Sequence, residues 1–267
     1  MTDRKPFILV TNDDGINAPG IAALYKALSQ IADIAIVAPD REMSAAGHAI
    51  TLSDPLRVTE VELEDGITGC AVNGTPADCV KIAARAVLKR PPDLVASGIN
   101  LGSNTGINVI YSGTVSAATE GIILGIPSVA FSLATYHDPD FGPAAEVAKK
   151  VVTKVLENGL PENTLLNVNV PPIQSDEIKG IVVTKQGKAF YDEKFDKRVD
   201  PRNRTYYWMS GERKSMKEDE DSDERMVQEG YVSVTPVYYD LTHYEFLNNL
   251  RKWPLFNGEK PDLRESS

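Results

Sequence analysis

The chain has 267 residues, 42% of them hydrophobic and 25% charged, with a formal net charge of −10. That length and composition fit one large domain, or one domain with an appendage, whose core needs no disulfide or metal staples. Disordered, collagen-like and disulfide-scaffold classes are excluded. So is a non-specific nucleic-acid binder, because neutralising phosphates takes Lys and Arg.

In chain order, Phe7 to Thr11 is a short apolar run that ends in Asn12, Asp13, Asp14 and Gly15. It predicts a buried strand entering a turn. Ile21, Leu24, Leu28 and Ile31 then recur at helical spacing behind Pro19, and Ile34 to Ala38 predicts a second strand. Strand, helix and strand in this order form a βαβ unit. Leu56 to Leu63 and Gly69 to Val72 predict further strands, and Thr75-Pro76 opens a helix through about Leu88. Asp93 to Ser97 is a strand, followed by a Gly-, Ser- and Asn-rich loop through Gly113. A helix over about Thr114 to Leu124, a strand from Pro127, a helix over Pro143 to Leu156 and a strand over Leu165 to Val170 follow. The alternation predicts an α/β fold: a Rossmann-like, mostly parallel sheet with helices on both faces.

After Pro171-Pro172 the texture changes. Ile178 to Lys185 and Tyr231 to Pro236 read as strands. Glu212 to Glu229, with eight acidic and four basic side chains, reads as a solvated loop between them. Residues 1–172 are thus expected to form the Rossmann-like core. Residues 173–267 form a C-terminal antiparallel extension with hairpin arms and a helix, suited to oligomer contacts, and residues 257–267 a loose tail. No apolar run is long enough for a signal-peptide core or a membrane span. Cys70 and Cys79 lack metal or redox spacing and read as buried thiols. A cytoplasmic protein with no membrane partner is expected.

Ligands of open parallel sheets bind at the carboxyl ends of the strands. Three polar clusters fall there. Asp13 and Asp14 end the first strand; they read either as an acidic turn or as oxygen ligands for a hard divalent cation. Ser44 lies in the loop after the second strand and reads as a turn hydroxyl or a further cation ligand. The third cluster runs from Ser97 to Glu120. There Asn100 can offer an amide oxygen to the same cation. Ser112, Gly113 and Thr114 precede a helix and read as an N-cap or an anion site. Dinucleotide, P-loop, zinc-helix and nucleophile-elbow motifs are absent. A metal-dependent glycosyltransferase, a phosphatase with an aspartyl nucleophile, and a nucleotide-sensing regulator are weaker alternatives.

Four strings in this order, ILVTNDDGINAPGI, VAPDREMSAAGHAIT, VNGTPADCV and SGINLGSNTGINVIYSGTVSAATEG, resemble the SurE family of stationary-phase survival proteins. The strong part of the match spans about residues 7–135. The resemblance implies a metal-dependent 5′-nucleotidase that cleaves nucleoside 5′-monophosphates, with 3′-nucleotides and short polyphosphate as further candidates. It implies one divalent ion, Mg²⁺ or Mn²⁺, on Asp13, Asp14, Ser44 and Asn100. It also implies phosphate contacts from Asn104, Ser112, Gly113 and Thr114, and a homodimer or tetramer.

Overall fold

The computed structural model describes residues 4–63, 66–214 and 219–256. Strand β1 (Phe7–Thr11) sits at the centre, and its side chains alternate between two buried layers. Ile8 and Val10 join Ile21, Leu24 and Leu28, while Leu9 joins Val37, Val72 and Val95. Burial on both faces is the reason the run is continuously apolar rather than alternating. Helix α1 (Pro19–Leu28) covers the first face together with α5 (Gly142–Asn158). A fully buried Leu of this kind is worth about 2–5 kcal/mol relative to Ala. Helix α2 (Pro76–Ile82), which runs on into a π turn at Ala83–Val87, covers the second face with α4 (Gly113–Ile123). Thr75 caps α2 through a reciprocal pair: its hydroxyl accepts from the Asp78 N–H, and the Asp78 carboxylate accepts from the Thr75 N–H.

The remaining strands of the core are β2 (Asp33–Pro39), β3 (Val58–Glu62), β4 (Thr68–Val72), β5 (Leu94–Leu101), β6 (Ser128–Leu133) and β7 (Thr164–Val170). After them come β8 (Ile181–Val183), a hairpin of β9 (Phe190–Val199) and β10 (Thr205–Lys214), α6 (Asp223–Gln228), β11 (Val232–Tyr238) and α7 (Tyr244–Leu250). The main sheet has nine strands in the order β3-β4-β2-β1-β5-β6-β7-β11-β8. From β4 to β7 the neighbours are parallel, while β3 and β11 attach antiparallel to β4 and β7. The α/β reading therefore holds, with β9 and β10 forming a separate antiparallel pair.

The chain builds outward from β1 to β2 and β4, then returns to place β5 on the other side of β1. The sheet's direction of growth reverses between β1 and β5, so their carboxyl ends flank the crevice where such folds bind ligands. Helix α1 starts close against β5: a Cβ on Gly20 would lie 2.0 Å from the Ile99 carbonyl oxygen. The β5–β6 register shifts between Ser97 and Asn100, around the cis Gly98–Ile99 peptide.

Two local readings need correction. The polar segment after Ser97 is not all loop. Strand β5 continues to Leu101, and a four-residue helix α3 (Asn108–Tyr111) precedes α4. The stretch Glu212 to Glu229 is not a solvated loop either. Strand β10 reaches into it as far as Lys214, and α6 occupies Asp223–Gln228 with Asp223 fully buried. The Asp223 carboxylate accepts the backbone N–H groups of Gly106 (3.0 Å) and Gly187 (2.8 Å), which satisfies it in the interior. Residues 215–218 of this stretch, and the expected tail at 257–267, lie outside the described residues.

Candidate functional site

The turn after β1 is held by its own polar groups. The Asn12 amide donates to the Gly15 carbonyl at 2.8 Å, and Gly15 takes φ +96°, a conformation that favours glycine. The next residue, Ile16, donates its N–H to the Pro39 carbonyl at the end of β2. This geometry leaves Asp13 only 4% exposed and Asp14 half-buried at the crevice. The Thr114 hydroxyl donates to Asp13 Oδ1, and the Leu101 N–H points at Asp14 Oδ2 from 3.4 Å.

Both carboxyls resist ionisation. Burial pushes Asp13 above its ordinary value, against the lowering effect of the Thr114 hydrogen bond. Asp14 is pushed up to about 6, first by burial and then by the charge of Asp13. Glu42 adds a third negative charge near both. Two adjacent acids that raise each other's cost of charge are stabilised by a cation between them. Among the described residues no three His, Cys, Asp or Glu side chains gather into a metal cluster. The expected donor set is different in kind: two carboxylates, a hydroxyl and an amide oxygen, the hard set that Mg²⁺ or Mn²⁺ accepts.

The other two expected ligands lie beside residues that bond this turn, Met43 and Leu101. The Ser44 loop is tied to the turn by the Met43 N–H, which donates to the Asp13 carbonyl at 2.7 Å. The exposed Ser44 hydroxyl donates to Glu42 Oε1 at 2.6 Å, and this leaves the oxygen's lone pairs for a cation. Asn100 lies at the end of β5 and spends its amide N–H on the Gly102 carbonyl at 2.7 Å. Its Oδ1 is therefore the end left to accept.

The expected phosphate residues divide into two groups. Ser112, Gly113 and Thr114 form the N-terminus of α4. The Ser112 hydroxyl caps the helix by accepting the Val115 N–H at 3.1 Å. Gly113 is required by its neighbour, because a Cβ there would lie 2.6 Å from Asp13 Cβ. The helix end, with its partial positive charge, is thus pressed against the acidic turn, and the Thr114 backbone N–H also bonds the Asp13 carboxylate. Asn104 sits farther along the sheet edge, 7% exposed, with its amide donating to Ser132 Oγ at 2.9 Å.

Sequence reasoning missed what holds Asn104. Asn169 Oδ1 accepts the Asn104 N–H at 2.8 Å, and the Asn167 and Asn169 amides donate to its carbonyl. Both are fully buried on β7. Their signal was legible: two asparagines at alternate positions of an otherwise apolar buried strand, where each amide must find a partner. Glu120 was also passed over; it is 1% exposed on α4 and bound to His48 and Lys81.

Fold and site together define an open α/β protein whose crevice sets a cation-type oxygen cluster against an anion-type helix end. The comparisons with known proteins narrow that class. The family model "Survival protein SurE" matches residues 8–193, and this chain belongs to the SurE family. It is 49% identical over 258 residues to 5′-nucleotidase SurE of Christiangramia forsetii, covering 96% of this chain and 99% of that protein. It is 54% identical over 247 residues to 5′-nucleotidase SurE of Pelotomaculum thermopropionicum, covering 92% and 94%. The crystal structure of the SurE protein from Aquifex aeolicus superposes with a TM-score of 0.81 at 44% identity, covering 92% of this chain and 98% of that one.

Proposed function

We propose that the protein is a metal-dependent phosphomonoesterase that hydrolyses nucleoside 5′-monophosphates to nucleoside and inorganic phosphate. The observation that carries this reading is the packing of Gly113 on Asp13, which leaves no space for a side chain between the acidic turn and the helix N-terminus. A phosphate beside this contact, at the mouth of the crevice, would reach both the helix end and a cation held by the turn. The curated relatives named as 5′-nucleotidases support the substrate class.

Asp13, Asp14, Ser44 and Asn100 would hold the divalent ion. When bound, it supplies Lewis-acid stabilisation of the charge on phosphate oxygens and lowers the pKa of water. The protein's own groups do the rest. Thr114 holds Asp13 Oδ1 by its hydroxyl, which fixes the carboxylate's orientation. The positive end of the α4 dipole would stabilise the equatorial phosphate oxygens, where charge grows during transfer. Asn104, clamped by β6 and β7, would be a further phosphate contact.

Residues 1–172 carry this chemistry in our reading, and residues 173–267 assemble a homodimer or tetramer. The exposed Phe195, Tyr207 and Met209 of the β9–β10 hairpin support the assembly. Cys70 and Cys79 are free thiols, which suits the reducing cytoplasm. No helix among the described residues is long and apolar enough to cross a membrane.

The test is phosphate release from a panel of nucleoside 5′- and 3′-monophosphates and short polyphosphate, after chelation and with Mg²⁺ or Mn²⁺ restored. Release from 5′-monophosphates that chelation abolishes and metal restores is the expected result. No release with either metal would move the reading to a nucleotide-binding regulator.

A further inference from the structure

Between β2 and β3 the chain that carries Ser44 has no regular structure. Ala45 and Gly47 both take positive φ, 56° and 54°. No strand or helix ladder sets the position of the Ser44 hydroxyl, so tertiary contacts must. One of them is a buried acid. Glu120 of α4 is 1% exposed; its Oε2 lies 3.0 Å from His48 Nε2, and its Oε1 accepts from the Lys81 ammonium of α2. His48 stands four positions after Ser44 in the same loop.

An ionised side chain is a costly way to pack a helix. Apolar residues of similar volume often replace a buried ion pair with no loss of stability. Packing of α4 alone therefore does not call for a carboxylate at this position. What the carboxylate adds is a directional hold on His48. Burial works to raise the Glu120 carboxyl, but hydrogen bonds from His48 and then Lys81 outweigh it and keep it below the usual range. The acid is therefore charged at neutral pH and holds its partners by charge-assisted bonds. Between Ser44 and His48 the loop's other tertiary tie is a backbone bond, from Gly47 N–H to the Tyr111 carbonyl. Met43 N–H donates to the Asp13 carbonyl just before Ser44. Beyond His48 the Thr75 hydroxyl donates to the Ala49 carbonyl and Thr51 donates to Asp78.

We propose that Glu120 is a positioning residue for the cation site. Through His48 it fixes the loop that presents Ser44, and it fixes that loop to the same helix whose N-terminus faces phosphate. Cation and phosphate contacts are thereby set against one rigid element. The proposal rests on the metal-dependent reading above.

The experiment is a calorimetric titration of the full chain with Mn²⁺, alongside phosphate release at varied Mn²⁺ and a thermal melt in chelator. His48→Ala and Glu120→Gln should each weaken Mn²⁺ binding about tenfold, the scale on which residues that orient metal ligands act. The double variant should lose no more than the worse single one, because both remove one contact. Saturating Mn²⁺ should return kcat to within about twofold of wild type, since the chemistry is untouched. Lys81→Met leaves the His48 contact in place and should lower the melting temperature without a comparable loss of Mn²⁺ affinity. Wild-type affinity in folded His48→Ala, additive losses in the double variant, or a kcat that saturating Mn²⁺ does not recover would each overturn the proposal. A wild-type chain that binds no Mn²⁺, or Asp13→Asn binding as well as wild type, would overturn the metal reading together with it.

Discussion

At the scale of single residues, the site is a set of strained electrostatic choices. Asp13 and Asp14 are placed where burial disfavours their charge. Replacing either by Asn removes a negative charge from the proposed metal site and should cut metal-dependent kcat/KM by at least about 100-fold. Turnover at wild-type level in either variant would remove that residue from the site. The same electrostatics predict a pH effect in the chelated protein. A carboxyl raised to about 6 penalises the folded state above that pH, and the penalty fades as pH falls towards the ordinary 3.8. Chelated Asp14→Asn should therefore melt higher than wild type near neutral pH, and the gap should close in acid. A melting temperature below wild type near neutral pH would contradict this assignment of cause. Gly113→Ala tests the close approach directly. Its methyl would meet Asp13 Cβ at 2.6 Å, and the resulting shift of roughly an ångström should cost about 100-fold in activity. A fully active Gly113→Ala enzyme would show that the helix end and the turn need not touch.

At the scale of elements, α4 matters most. One helix presents the N-terminal N–H groups, donates the Thr114 hydroxyl to Asp13 and holds His48 through Glu120. Its start was legible in the sequence, because Ser112 before an apolar-small run is a capping signal. Ser112→Ala should cost about 1 kcal/mol of stability through loss of the cap, read as a lower denaturation midpoint, and should also raise KM for phosphate esters. An unchanged midpoint would mean that the 3.1 Å bond to the Val115 N–H contributes nothing. The elements least legible locally were α6 and β10. A run with eight acidic side chains reads as solvated because isolated carboxylates avoid the interior. The partners that permit Asp223 to be buried are Gly187 and Gly106, the latter 117 residues away. No window along the chain contains them both.

At the scale of the whole molecule, the β9–β10 hairpin stands apart from the nine-stranded sheet. Phe195 pairs with Met209, and Lys197 with Tyr207, so these side chains share one face. Phe195, Tyr207 and Met209 are each more than half exposed. A lone two-stranded ribbon is marginal in water, and apolar patches of this kind mark association surfaces. Phe195→Glu combined with Tyr207→Glu should shift the protein to a smaller species in sedimentation velocity. The melting temperature of the core should stay within a few degrees, because both positions face solvent. Unchanged sedimentation would remove this face from the proposed association surface.

The sequence alone was enough for the α/β alternation, the strand-end polar clusters and the family resemblance. Each of these is written in contiguous residues: periodicity, turn chemistry and motif order are local properties. Tertiary structure decided how those pieces meet. It brought Gly113 onto Asp13, used Asn167 and Asn169 to clamp Asn104, and gave the buried Glu120 its partners on α2 and on the Ser44 loop. Side chains are oriented by neighbours that the fold supplies from far along the chain. Whether a buried polar group is costly or useful depends on whether those neighbours satisfy it.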